Sequence, residues 1–148
     1  MLVERIEEKW IGAFLRTLEL CQLAPGDVVA ILSETQSRSV NVDLAELAAL
    51  RLGARVFHIR IPSPESAVTI PVRSTGASDA IQKIGPVVAA LSSCTLVLDL
   101  TVEGILHAPE LPEILKGGAR VLMVSNEHPE ILHRLVPDPA LEIGRAHV

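Results

Sequence analysis

The chain has 148 residues, of which 49% are hydrophobic and 21% charged, and its formal net charge is −5. That length and balance suit one globular domain with a real core and exclude a disordered chain. With no block of Lys or Arg, and only Trp10, Phe14 and Phe57 as aromatics, the chain has neither the charge nor the stacking surface that nucleic acid requires.

The N-terminus, MLVERIEEKW, is rich in Glu and has no apolar h-region, so no signal peptide is expected. No apolar run approaches the ~20 residues of a membrane helix. Cys21 and Cys94 form neither a disulfide framework nor a CxxC pair. A cytoplasmic protein with two reduced, at least partly buried thiols and no membrane partner is expected.

Ile6, Trp10, Phe14 and Leu18 recur every four residues, so residues 3 to 21 read as an amphipathic helix. Pro25-Gly26 marks a turn, and DVVAILS, residues 27 to 33, reads as a strand buried on both faces. Ser37 or Ser39 then caps a helix to about Leu52, with Val40, Leu44, Leu47 and Ala48 inward and Gly53 as its stop. ARVFHIRIP is the second strand, and residues 63 to 76 form a long loop. Thr75 or Ser78 opens a third helix reaching about Leu91, divided or kinked at Gly85-Pro86. CTLVLDL is the third strand. Pro109 sits in the first turn of a short helix ending near Lys116, ARVLMVS is the fourth strand, and Pro129 to Leu135 make a last helical turn or two.

Apolar strands alternating with helices predict an α/β fold, a Rossmann-like parallel sheet of about four strands with helices on both faces. Ligands of such sheets sit beyond the carboxyl ends of the strands. Here those ends are Glu34-Thr35, Ile61-Pro62, Asp99 to His107, and Ser125 to His128.

Several chemistries fail on their residues. The turn after the first strand, SETQSRS, has no glycine for a pyrophosphate, and no P-loop exists. Ser33, Ser92, Ser93 and Ser125 lack a nucleophile elbow. Asp99, Glu103 and His107 share a four-residue spacing, but Asp99 ends a strand, Gly104 interrupts any helix, and one local imidazole is too few for a metal. His128 and His133 lie on different helix faces and read as surface histidines, and His58 reads as a partnered sheet residue. RSTGASDA, residues 73 to 80, is either an ordinary capped helix start or a small-anion site at a helix N-terminus. His107, in VEGILHAPELPEIL, is either a solvated loop histidine or a proton carrier, since imidazole titrates at about 6.5.

The stretch VLDLTVEGILHAPELPEILKGGARVLMVSNEHPEIL resembles the amino-terminal domain of the 2,5-dihydroxypyridine 5,6-dioxygenase family. That family shares a superfamily with metallo-aminopeptidases of the aminopeptidase T type. The LH-small-PE segment and the IL-K-G-small-R-apolar-L segment carry the likeness. The order of helix, VVAIL strand, helix and RLGARVFHIRIP supports it upstream. The resemblance implies a two-domain enzyme that opens a hydroxylated pyridine ring with O2. It places a non-haem Fe(II) on two histidines and a carboxylate of the carboxy-terminal domain. The amino-terminal domain covers the site and lends it a histidine from the loop after its third strand. That position matches His107, with proton transfer to or from the substrate hydroxyl as its implied role and Leu106 beside it against the substrate.

No position here matches an iron ligand, so this chain alone is expected to hold no cofactor and to be inactive. The last seven residues, EIGRAHV, translate one frame of a common sequencing adapter. Residues 1–141 are therefore expected to be the amino-terminal domain of a larger enzyme and residues 142–148 a non-native tail, with no role for Arg145 or His147. Exposed surface left by a missing domain predicts association, as a homo-oligomer, or poor solubility. A metallo-aminopeptidase fragment and a stand-alone small-anion-binding α/β module stand as alternatives.

Overall fold

The computed structural model describes residues 5–64 and 75–134. Among these residues, five helices and four strands follow in the order α1 (Glu8–Leu20), β1 (Val28–Glu34), α2 (Ser39–Arg51), β2 (Arg55–Ile61), α3 (Gly85–Ser92), β3 (Leu96–Asp99), α4 (Leu111–Lys116), β4 (Arg120–Met123) and α5 (Pro129–Arg134). The strands form one sheet in the order β2-β1-β3-β4, and every neighbouring pair is parallel. This is the α/β architecture that the alternation of elements predicts.

The sheet separates two cores. Val29 and Ile31 of β1 point with Leu96 and Leu98 of β3 towards α1 and α2. Ala30, Leu32 and Val97 point the other way, to Val88 and Leu91 of α3 and Ile114 of α4. The continuous burial of β1 from Val29 to Glu34 reflects helices on both of its faces. Among the described residues β2 is an edge strand, and its Arg55 and Arg60 give that edge the charge that discourages further pairing. His58 bonds Glu46 Oε1 of α2 at 2.7 Å, the partner expected of a sheet histidine.

Several local expectations change. α1 starts at Glu8, so Ile6 lies outside it and is exposed. α2 is not capped by a serine side chain, because the Ser37 hydroxyl donates to Leu100 O at 2.6 Å and accepts from Glu34 N. Leu47 is 42% exposed, while Ala45 and Ala49 take the inward positions beside Val40, Leu44 and Ala48. α3 begins at Gly85 with Pro86 in its first turn, not at Thr75 or Ser78. The Ser78 hydroxyl instead accepts from Ala80 N, a local turn that competes with a helix. Pro112 takes the first-turn place expected of Pro109 in α4. Most of the long loop, and the tail from residue 135, lie outside the described residues.

Both cysteines are free and buried, and burial pushes each thiol up. α5 is clasped to α1: Lys9 Nζ and Trp10 Nε1 donate to the two oxygens of Glu130, each at 2.7 Å. These bonds hold the Glu130 carboxylate down to about 2. Among the described residues, no helix is long and apolar enough to cross a membrane.

Candidate active site

β1 and β3 lie side by side, yet the chain leaves β1 for β2 on one side and β3 for β4 on the other. Their carboxyl ends therefore flank the topological switch point, where open α/β sheets bind ligands. The last residues of the two strands there are Glu34 and Asp99, both buried carboxyls.

These carboxyls build the loop that follows β3. Asp99 Oδ1 accepts from Thr101 N at 3.1 Å and from the Thr101 hydroxyl at 2.6 Å, while Oδ2 accepts from Ile105 N at 2.7 Å. Thr101 Oγ1 accepts in turn from Gly104 N at 3.1 Å. Glu34 Oε1 reaches across from β1 to accept from Val102 N at 2.5 Å. The chain from Thr101 to Ile105 is thus wound around fixed oxygens instead of a helix ladder.

A second segment closes the loop from outside. Gly76 N donates to Glu103 O at 2.6 Å, Ser78 N to Gly104 O at 2.8 Å, and His107 N to Gly76 O at 2.5 Å. Ile105 and Ala108 are buried in the core beneath α3 and α4, so the backbone is pinned on both sides of the pair between them. That pair is Leu106 and His107. Leu106 is 48% exposed, and His107 is exposed with no hydrogen bond to its ring nitrogens among the described residues. A free imidazole on a fixed backbone, beside an exposed apolar side chain, can exchange a proton with a ligand hydroxyl while the leucine packs on an apolar ring.

Burial is the main influence on both supporting carboxyls, and it raises each above its ordinary value, against the hydrogen bonds they accept. A carboxyl raised in the folded state binds its proton more tightly there than in the unfolded chain. Its contribution to stability is full below the unfolded value and is lost as pH rises through the folded one. Glu34→Gln keeps an oxygen for Val102 N and removes the titration. As pH rises from Glu34's ordinary 4.5, urea unfolding is expected to show a smaller loss of stability in the variant than in the unaltered chain. Parallel curves would contradict a burial-raised Glu34.

The other candidates do not assemble. Both Asp99 oxygens are committed to residues 101 and 105, so Asp99, Glu103 and His107 make no ligand set. No group of three or more His, Cys, Asp or Glu suited to a metal exists among the described residues. The anion reading of residues 73 to 80 fails on the part described, because no helix starts there. The amides of Gly76, Ala77, Ser78 and Ala80 also all have acceptors within the protein. His128 is exposed but stands edge-on to Trp10, with ring centroids 5.3 Å apart, and accepts from Glu130 N. Nδ1 of His133 is buried without a partner among the described residues, so that residue is no simple surface histidine. An apolar groove of about 230 Å³ lies between α1, β4 and α5, lined by Phe14, Leu18, Leu122 and Leu132 among others, with no titratable side chain among the described residues.

Residues 9–146 match the family model described as NicX, 2,5-dihydroxypyridine 5,6-dioxygenase. A curated 2,5-dihydroxypyridine 5,6-dioxygenase from Pseudomonas putida is 32% identical over 126 residues, covering 84% of this chain and 35% of that protein. A solved structure of 2,5-dihydroxypyridine dioxygenase from Pseudomonas putida KT2440 superposes with a TM-score of 0.76 at 30% identity, over 88% of this chain and 37% of the other. The chain therefore spans about a third of the length of the relatives it matches.

Proposed function

This chain belongs to the 2,5-dihydroxypyridine 5,6-dioxygenase family, and from that premise we propose that it is the amino-terminal domain of a ring-cleaving dioxygenase. The substrate class is 2,5-dihydroxypyridine or a similar hydroxylated N-heterocycle. The observation that carries this reading is the His107 loop. It emerges from the switch point with its backbone fixed by Asp99, Glu34 and Gly76 and its imidazole exposed, without a hydrogen bond among the described residues.

In this reading His107 holds or moves the proton of a substrate hydroxyl. Leu106 supplies apolar surface for the heterocycle, and the loop's rigidity keeps the imidazole within reach of one atom. The iron implied by the family resemblance does not fit the described residues, which offer no suitable ligand group. The proposal therefore assigns metal binding to the part of the enzyme outside this chain and gives this domain only binding and proton transfer.

The test uses a full-length enzyme carrying this domain, supplied in parallel with 2,5-dihydroxypyridine under O2 and with a peptide amide. Oxygen uptake together with loss of the pyridine absorbance is expected, and the 148-residue chain alone should give neither. Peptide hydrolysis without oxygen uptake would replace the dioxygenase by an aminopeptidase.

A further inference from the structure

Building on the proton-transfer reading of His107, we propose that Gly76 is a positioning residue for the His107 imidazole, acting through the side chain it lacks.

Gly76 bonds to both ends of the loop segment that carries the histidine, donating to Glu103 O and accepting from His107 N. It has φ +74, a left-handed conformation that favours glycine. Conformation alone does not account for what lies against it. A Cβ at residue 76 would stand 2.9 Å from His107 Cδ2 and 3.3 Å from Leu106 Cβ. The ring therefore occupies space that any other residue would fill, and it does so on the two residues proposed to meet the substrate.

Other glycines supply the contrast. Gly26, at φ +88, and Gly118, at φ +102, have nothing within 4 Å of a Cβ, so turn geometry alone explains them. At Gly104 a Cβ would meet Met123 Sδ, a packing neighbour. At Gly76 the neighbour is the exposed imidazole of His107.

The geometry also gives the ring a direction. Cδ2 is its nearest atom to that Cβ position and Cγ stands at 3.7 Å from it, so the Nδ1–Cε1 edge lies on the far side. An exposed histidine with no hydrogen bond among the described residues would otherwise exchange rotamers freely. Crowding at Cδ2 narrows that choice and leaves the Nδ1–Cε1 edge on the side away from residue 76, which suits a group that must present a nitrogen to a ligand.

The experiment compares Gly76→Ala with Gly26→Ala. Both place alanine at a positive φ, and only the first collides with His107. In the 148-residue chain, NMR reads the His107 ring resonances and the contact between its Hδ2 and the Hα of residue 76. In a full-length enzyme carrying the domain, kcat and KM are measured. Gly76→Ala is expected to move the ring resonances and lower kcat on the order of 10- to 100-fold, with KM little changed. Gly26→Ala should move neither, whatever stability it loses. If Gly76→Ala does not fold, Gly76→Asn keeps the collision with less backbone strain, since asparagine tolerates this region. Unmoved His107 resonances, or an equal fall of kcat in Gly26→Ala, would overturn the proposal. Failure of the underlying reading looks different: His107→Ala would then retain full turnover even where Gly76→Ala displaces the ring.

Discussion

Asp99→Ala is expected to destabilise this chain by about 3–5 kcal/mol, the largest single-residue effect on stability proposed for it. Asp99 is fully buried and accepts from two backbone amides and one hydroxyl. Alanine would leave all three donors, on Thr101 and Ile105, facing a small void without water. Each abandoned donor costs roughly 1–3 kcal/mol, partly offset because a buried carboxyl no longer needs to be desolvated. Asp99→Asn retains the volume and one acceptor oxygen, so it should lose about half as much. In urea, the midpoint should fall in the order Asp99, Asn, Ala at residue 99 with the slope unchanged. An alanine variant within about 0.5 kcal/mol of the unaltered chain would mean that the loop is not hung on this carboxyl.

The sheet was legible because its strands are short β-branched and leucine-rich runs, DVVAILS, CTLVLDL and ARVLMVS, separated by glycine and proline signals. α2 was less so. Its apolar residues lie on more than one side, and the choice of Leu47 over Ala45 and Ala49 depended on which side met the sheet. The start of α3 is obscured in the sequence for a specific reason. Thr75 and Ser78 are residue types that cap helices, and here the same hydroxyls serve local turns instead.

Within the candidate site, the histidine could be found in sequence and its supports could not. His107 was visible through family resemblance and loop position. Asp99 came into view only as a poor metal ligand, although an aspartate two residues before a threonine at a strand end is a signal for a side chain that folds the backbone back on itself. Glu34 and Gly76 carried no such signal. Glu34 meets Val102 across 68 positions of chain, and Gly76 meets His107 across 31, and only the folded sheet brings them together.

His107→Ala carries the largest expected effect on activity. A positioned general acid or base contributes about 10²–10⁴ to rate, so turnover in a full-length enzyme carrying this domain should fall by that factor. The fold should not suffer. The imidazole is exposed and its nitrogens make no hydrogen bond among the described residues, and Ile105 and Ala108 still anchor the loop. Stability within about 0.5 kcal/mol of the unaltered chain is therefore expected. The metal content should also be unchanged, because the described residues hold no metal-ligand group for the substitution to disturb. This combination, lost turnover with stability and metal retained, separates a proton carrier from a structural residue.

The central claim is that this domain lends one working side chain to a site built mainly elsewhere. Its most direct test is kcat on 2,5-dihydroxypyridine for the full-length enzyme and its His107→Ala variant, at matched iron content. A fall of at least about 10²-fold is the predicted result. Equal turnover in the two would contradict it and leave His107 an ordinary surface residue.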